Sequence, residues 1–87
     1  MANDKILSMI GLATKAGKIV SGEFSTEQSV KRGRALMVII SSDASENTKK
    51  KFTNMCSFYN VPLYFYGTRE SLGRAAGKEF RVSLALQ

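Results

Sequence analysis

The sequence predicts an α/β fold, a three-layer α/β/α sandwich with a small four-stranded mixed sheet. Segments with helical periodicity alternate with short apolar segments of strand length along the chain. The connections between them are a few residues long and contain glycine, asparagine or proline. No internal repeat, low-complexity segment or linker interrupts the alternation, so residues 1–87 are expected to form one small domain.

The first predicted helix begins at a cap, Asn3 or Asp4, and runs to about Lys15. Apolar residues recur along it at helical spacing and are expected to face the core: Ile6, Leu7, Ile10 and Ala13. Gly17 ends the helix, because glycine readily adopts the left-handed conformation that follows a last helical turn. A short strand, Lys18–Val20, is predicted next.

The second helix is predicted between a turn at Ser21–Gly22 and a terminator at Gly33. Because successive helical residues lie about 100° apart, one set is expected to face the core: Glu23, Thr26, Val30 and Gly33. The other side carries a different set, with Lys31 at its edge: Phe24, Ser25, Gln28 and Arg32.

This outward side combines an aromatic ring, an amide and a guanidinium. Phe24 and Gln28 are one helical turn apart, so their side chains are neighbours. The ring is able to stack on a base, Gln28 to read a base edge, and Arg32 to neutralise a phosphate. The pattern therefore indicates an RNA-binding face, and the alternative is a solvated helix face with one exposed phenylalanine.

The second half of the chain repeats the strand–helix alternation. Leu36–Ile40 is a continuous apolar run, as expected for a strand covered on both faces. A helix over residues 45–59 follows a cap within residues 42–45, and Asn60 occupies the position of a left-handed terminator. Loops that follow parallel strands emerge at one edge of a sheet, so the starts of the second and third helices are expected to lie close together.

The last three predicted elements are short. Leu63–Tyr66 is a strand, and Thr68 caps a helix that Gly77 closes. The inward residues of that helix are predicted from their spacing: Leu72, Ala75 and Ala76. Arg81–Leu86 is the last strand, with apolar residues at alternate positions.

The charge balance favours a polyanionic partner. Thirteen Lys and Arg residues stand against seven Asp and Glu residues, a formal net charge of +6, and such an excess is typical of nucleic-acid-binding domains, although it also serves solubility. The cations occur in blocks: Lys15 and Lys18; Lys31, Arg32 and Arg34; Lys49, Lys50 and Lys51; Lys78 and Arg81. The three lysines lie early in their helix and therefore oppose its dipole, a small cost that hints at another use. The alternative interpretation is that they form a solvated helix face.

Several classes of function lack the residues they need. The chain has no histidine and a single cysteine, Cys56, so it lacks the residues for an intrachain disulfide, a zinc site or a histidine-dependent triad. Cys56 lies on an apolar helical face and is expected to be an inert core thiol. No cofactor motif, membrane-spanning run or signal peptide is present in the sequence. We therefore expect a cytoplasmic protein that is not an enzyme and needs no cofactor.

Five segments together resemble the ribosomal-protein family that binds kink-turn RNA, specifically its bacterial YlxQ-like branch. They occur in the order and spacing of that family over almost the whole chain: Ala16–Gly22, Gly33–Ile40, Ser42–Ser45, Asn60–Leu63 and Leu72–Lys78. The resemblance implies an α/β/α sandwich and a non-catalytic function in binding RNA. It also implies that the start of the second helix enters the kinked RNA.

In that family, Asn, Glu and Lys side chains contact tandem sheared G·A pairs. The resemblance places the Asn position at Phe24, the Glu position at Ser25 and the Lys position at Gln28, whereas the turn glycine, Gly22, is retained. A second contact, the loop before the last strand, falls on residues 78–81, and a third falls near Lys49. The predicted RNA-binding set is Lys18, Ser21, Gly22, Glu23, Phe24, Ser25, Gln28, Lys31, Arg32, Lys49, Lys78, Glu79, Phe80 and Arg81.

The predicted partner is thus a structured RNA, a kink-turn or a related element such as ribosomal RNA, bound by a monomer. The changed residues at positions 24, 25 and 28 leave a second hypothesis open. In it, the same fold serves as a protein-interaction module, with Phe24 as the anchor in a partner's pocket.

Overall fold

The sheet has the strand order β1-β4-β2-β3, with helices on both faces. The structure, a computed structural model, describes residues 4–87. The elements are α1 (Lys5–Lys15), β1 (Ile19–Ser21), α2 (Glu23–Lys31), β2 (Met37–Ile40), α3 (Glu46–Tyr59), β3 (Leu63–Phe65), α4 (Arg69–Ala75) and β4 (Ser83–Leu86). Strand β4 is antiparallel to both β1 and β2, whereas β2 and β3 are parallel. The predicted α/β fold with a mixed sheet is confirmed.

Two apolar cores lie on opposite faces of this sheet. On one face, α2 and α3 pack through Val30, Phe52 and Cys56 against residues of β2 and β4. On the other face, α1 and α4 pack through Ile10 and Leu72. Each core residue named here is at most 5% exposed, so both faces of the central strands are covered.

The topology brings three connections to the same end of the strands in the sheet. Ser21, the last residue of β1, pairs with Leu84, and Ile40, the last residue of β2, pairs with Ser83. The loops after β1 and β2 therefore emerge where the loop before β4 arrives. The second and third helices were predicted to lie close together at their starts; the start of α2 does contact α3, but in the second turn of α3, where the Nζ of Lys51 lies 2.8 Å from an oxygen of Glu23.

The predicted helix boundaries are confirmed almost throughout. Asp4 caps α1 by accepting a bond from the Leu7 amide at 2.9 Å, whereas Asn3 lies outside the described residues. Ser45 and Thr68 cap α3 and α4. Asn60 has the predicted left-handed conformation, with φ of 59°.

The predicted strand limits need correction. Strand β1 begins at Ile19 rather than Lys18, and β2 begins at Met37, which leaves Leu36 64% exposed. Strand β3 ends at Phe65, one residue before Tyr66. Strand β4 begins at Ser83 rather than Arg81, because the Arg81 amide donates to the carbonyl of Arg69 in α4 at 3.0 Å instead of joining the sheet.

Some predicted side-chain orientations are also wrong. Ile6 is 45% exposed, because the core face of α1 is centred on Ile10 and Leu7. In β4, Ser83, Leu84 and Ala85 are all buried rather than alternating, since the strand lies between two others and under helices on both faces. In α2, Thr26 and Val30 are buried as predicted, but Glu23 and Gly33 are exposed and Ser29 takes the third inward position.

Candidate nucleic-acid interface

A glycine turn at the end of β1 sets the direction of α2. Gly22 has φ of 98° and ψ of 157°, a region that residues with a Cβ rarely adopt. Its amide donates to the carbonyl of Ser83 at 2.9 Å, which ties the turn to β4. No side chain caps α2. Within residues 4–87, the first amide groups of the helix therefore remain available to an anion, which the helix dipole also favours.

The loop over residues 77–81 is fixed beside this turn by Arg81. The Nε of Arg81 donates to the Oγ of Ser21 at 2.9 Å, and its Nη1 donates to the carbonyl of Phe80 at 2.7 Å. A Cβ built on Gly22 would lie 4.0 Å from the same Nε. Half-buried Arg81 thus bridges the loop and the start of α2, which makes one continuous surface of the two.

Helix α4 supports this loop from behind. A Cβ at Gly73 would lie 2.5 Å from the carbonyl oxygen of Glu79 and 2.7 Å from the amide nitrogen of Phe80. The Lys78 amide also donates to the carbonyl of Gly73 at 2.7 Å. Only glycine allows the loop to approach the helix this closely, so Gly73 determines where residues 78–81 lie.

A groove runs along the flank of α2 beside the outer strand β1. It has a volume of about 250 Å³ and is lined by Val20, Phe24, Ser25, Gln28, Ser29, Arg32, Arg34 and Gln87. Phe24 is 74% exposed. The predicted outward stripe of Phe24, Ser25, Gln28 and Arg32 therefore exists as one continuous surface, and we call the whole recess the α2 groove.

The opposite flank of α2 carries an ion-pair network with α3. Glu27 lies 2.7 Å from the Nζ of Lys31 and 2.9 Å from that of Lys51, which also pairs with Glu23. The ammonium group of Lys31, followed by that of Lys51, lowers the pKa of Glu27. Both acidic residues of α2 are thus engaged on this side, and none of the residues that line the α2 groove is acidic.

Most of the predicted binding residues lie in two adjoining places. One group lies where β1 ends and β4 begins, in the Gly22 turn and the adjacent loop, and we call this end of the sheet the Gly22 edge. Its members are Ser21, Gly22, Glu23, Phe24, Ser25, Lys78, Glu79, Phe80 and Arg81. Gln28 and Arg32 continue from it along the α2 groove. The remaining predicted cations are separate.

Lys18, Lys31 and Lys49 are not brought to the Gly22 edge. Lys18 lies at the other end of β1, where its carbonyl accepts from the Gln87 amide at 2.7 Å. Lys31 is on the ion-paired flank of α2. The Nζ of Lys49 lies 5.8 Å from the ring centroid of Phe65, on the β3 side of the molecule, and 3.8 Å from Glu46.

Sequence reasoning missed four residues of the α2 groove: Val20, Ser29, Arg34 and Gln87. Arg34 was noted only as part of a basic block, because it lies in the turn after the helix, where helical spacing does not predict a face. Its position depends on the bond from its amide to the Ser29 carbonyl at 2.9 Å. Gln87 reaches the groove only through the pairing of β4 with β1, which no local pattern reveals.

The described residues offer little basis for cysteine chemistry, metal binding or a membrane span. Cys56 is 2% exposed and burial raises the pKa of its thiol, as expected for a core cysteine. Residues 4–87 contain no cluster of three or more potential metal ligands. Among the described helices, none has both the length and the apolar character needed to cross a bilayer.

Comparison with known proteins identifies the family. The sequence profile of the ribosomal protein L7Ae/L30e/S12e/Gadd45 family matches residues 4–87. The chain belongs to this family. The resemblance drawn from its five sequence segments, including the YlxQ-like branch, is confirmed by this match and by the relatives described next.

Relatives in the L7Ae/L30e/S12e/Gadd45 family include two named groups. RNA-binding protein YlxQ of Bacillus subtilis is 44% identical over 78 residues, which cover 90% of this chain and 78% of the relative. Large ribosomal subunit protein eL30 of Methanoregula boonei is 36% identical over 72 residues, which cover 82% of this chain and 71% of the relative. These relatives are RNA-binding and ribosomal proteins by name.

Two solved structures share the fold of this family. A protein with unknown function from Bacillus halodurans superposes with a TM-score of 0.88 at 41% identity, covering 92% of this chain and 81% of that one. The Giardia lamblia 15.5kD RNA binding protein superposes with a TM-score of 0.83 at 25% identity, covering 99% of this chain and 77% of that one.

Proposed function

We propose that this protein is a cytoplasmic, monomeric and non-catalytic RNA-binding protein whose target is a kink-turn or a related structured RNA, in the ribosome or in a regulatory RNA. One observation carries the proposal. The Gly22 turn at the start of α2 and the loop over residues 78–81 form one exposed surface, joined by Arg81, on a member of a ribosomal-protein family.

The chemistry of this surface suits RNA. The open start of α2 offers amide donors and the positive end of a helix dipole to a phosphate. Phe24 offers an exposed ring for base stacking, a contact that tolerates any base. Within residues 4–87, Arg32, Arg34 and Lys78 form no ion pair with a carboxylate, so their charges are free to meet a polyanion.

The mode of base recognition differs from the one that the family resemblance implies. Phe24 and Ser25 stand where Asn and Glu are expected, and Gln28 stands where Lys is expected. A phenyl ring makes no hydrogen bond to a guanine edge, so recognition here depends on stacking by Phe24 and on the amide of Gln28. Shape and backbone contacts then carry more of the selectivity for the kinked RNA.

The test is the affinity for a kink-turn RNA and for a duplex of matched length across a several-fold range of salt. We expect the kink-turn to bind at least about tenfold more tightly, with affinity falling as salt rises because counterions are released. Equal, weak binding of both RNAs would contradict kink-turn recognition. Absence of binding to either would contradict the proposed function itself.

A second candidate function is protein interaction on the same fold. One observation favours it: Phe24 is 74% exposed, as expected for an aromatic side chain that inserts into a pocket of a partner protein. In that case Phe24→Ala abolishes capture of the partner, whereas Arg32→Ala and Lys78→Ala leave it intact. For RNA binding the cation variants weaken the complex as well, so the three variants separate the two functions.

A further inference from the structure

We propose that the α2 groove is a binding site for one unpaired ribonucleotide, with its base against Phe24 and its phosphate between Arg32 and Arg34. The inference deepens the proposed function, because it rests on bound RNA as the source of the nucleotide. It concerns a surface that starts at Phe24 and extends toward the far end of β1, where Arg34 and Gln87 add to the predicted stripe.

The groove has the dimensions of a small ligand. Its volume is about 250 Å³, and it lies between a single helix and the outer strand of the sheet. The recess has cationic and no acidic lining residues, which favours an anionic ligand. A flat base with its sugar is the part of an RNA chain that matches this size.

The lining residues divide into a stacking end and an anion-binding end. Phe24 projects from the first turn of α2 and is 74% exposed, so one face of its ring is available to a base. Arg32 and Arg34 lie beyond the last turn of the same helix. Gln28 lines the same groove one helical turn beyond Phe24, within reach of the edge of a base that stacks on Phe24.

The arginine end is held in place by Ser29, which is 3% exposed. Its carbonyl accepts bonds from the amides of Arg34 at 2.9 Å and Ala35 at 3.1 Å. Its Oγ accepts a bond from the Nε2 of Gln87 at 2.8 Å. The backbone that presents Arg34 is thus fixed before any ligand arrives, which lowers the entropic cost of binding.

The charges of α2 are segregated so that the groove stays positive. Glu23 and Glu27 are paired with Lys51 and Lys31 on the other flank. Within residues 4–87, neither Arg32 nor Arg34 has a carboxylate within 4.0 Å. A phosphate that enters the groove therefore displaces no internal ion pair.

The first arm of the test is a titration of the protein with AMP, GMP, CMP, UMP and ribose 5-phosphate, followed by amide chemical shifts. We expect all four nucleotides to shift the amides of residues 20–34 and to bind about tenfold more tightly than ribose 5-phosphate, the factor that stacking on one aromatic ring provides. Equal affinity for ribose 5-phosphate, or shifts elsewhere, would overturn the inference.

Variants assign the two ends of the groove. Phe24→Ala is expected to lower nucleotide affinity to the level of ribose 5-phosphate. Arg34→Gln is expected to weaken all five ligands by one common factor. Lys50→Gln is the control, because Lys50 is an exposed residue of α3 that does not line the groove, and it should leave every affinity unchanged.

The second arm identifies RNA as the source of the nucleotide. Each unpaired nucleotide of a kink-turn RNA is made abasic in turn, and wild type and Phe24→Ala are compared. One abasic position is expected to cost wild type about tenfold and Phe24→Ala nothing further. If the intact kink-turn binds but no abasic position matters, the inference is wrong while the proposed function stands. If mononucleotides bind and the kink-turn does not, the proposed function and the assignment of RNA as the source are wrong, and the groove takes free nucleotides.

Discussion

At the scale of single residues, two glycines determine the geometry of the candidate interface for different physical reasons. Gly22 is required by its backbone angles, because φ of 98° with ψ of 157° is strained for any residue with a Cβ. Gly73 is required by space, because the loop before β4 passes directly over it. The sequence indicates the first as a turn but says nothing of the second, since a glycine inside a short helix has no local signature of a long-range contact.

The lack of space for a side chain at Gly73 can be tested by comparison with Gly11, a helical glycine that has room for one. Gly73→Ala would place a Cβ 2.5 Å from the Glu79 carbonyl oxygen, so the loop must move, and we expect a loss of about 1–3 kcal/mol in the free energy of unfolding. Gly11→Ala is the control, because its nearest neighbour is 3.8 Å away and alanine favours a helix by up to about 1 kcal/mol. Urea denaturation measures both, and equal effects of the two substitutions would contradict the assignment.

At the scale of elements, α2 has three sides: one packs in the core, one forms ion pairs with α3, and one lines the α2 groove. The sequence predicted the core side and the groove side in part and did not predict the ion-paired side. Thr26 and Val30 face the core as their spacing predicts. Glu23 was assigned to the core side, but α3 lies close enough to pair Lys51 with it at 2.8 Å. Helical periodicity places residues around an axis, whereas the position of the neighbouring helix decides which polar residues find partners.

The ion-paired flank of α2 predicts a dependence of stability on pH. Lys31 and then Lys51 lower the pKa of Glu27 in the folded protein. Ionised Glu27 therefore stabilises the fold above its unfolded pKa, and this contribution is lost as pH falls through the lowered pKa. Glu27→Gln should reduce the free energy of unfolding at pH 7 and flatten its decline below about pH 5.

The measurement is the free energy of unfolding of both proteins from denaturant titrations at several pH values. The difference between wild type and Glu27→Gln removes the contributions of the other carboxyl groups. That difference should shrink toward acid pH, since protonated Glu27 resembles glutamine. A difference that stays constant with pH would contradict a role for the charge of Glu27.

Arg81 connects two elements, and its role is predicted to be positional. Arg81→Lys keeps the positive charge but loses the bonds to Ser21 and Phe80. We expect it to weaken kink-turn binding several-fold while the slope of affinity against salt stays the same. Were Arg81 only a phosphate contact, the lysine variant would bind nearly as wild type, and Arg81→Gln would reduce the slope by about one.

At the scale of the whole molecule, the strand order determines which parts of the chain meet. The alternation of helices and strands, the caps and the covered β2 strand could be predicted from local patterns. The position of β4 between β1 and β2 could not, because pairing order depends on long-range packing. That position brings residues 78–81 to the Gly22 edge and Gln87 to the α2 groove. The candidate interface was therefore predicted as separate pieces, without Gln87.

The same order explains why Lys18 and Lys49 lie away from the Gly22 edge. Lys18 directly precedes β1, roughly 13 Å from Gly22 at about 3.3 Å per extended residue, and lies beside Gln87 at the far end of the α2 groove. Lys49 faces Phe65 of β3, the outer strand farthest from β1. A basic residue in the chain thus contributes to a given surface only if the topology brings it there.

The most direct test of the central claim is amide chemical-shift mapping with a kink-turn RNA. The account predicts saturable changes at residues 22–28 and 78–81 together, with little change at the far side of the sheet around Tyr64 of β3. Changes confined to other surfaces, or amides of residues 22–28 and 78–81 that stay undisturbed at saturating RNA, would contradict it.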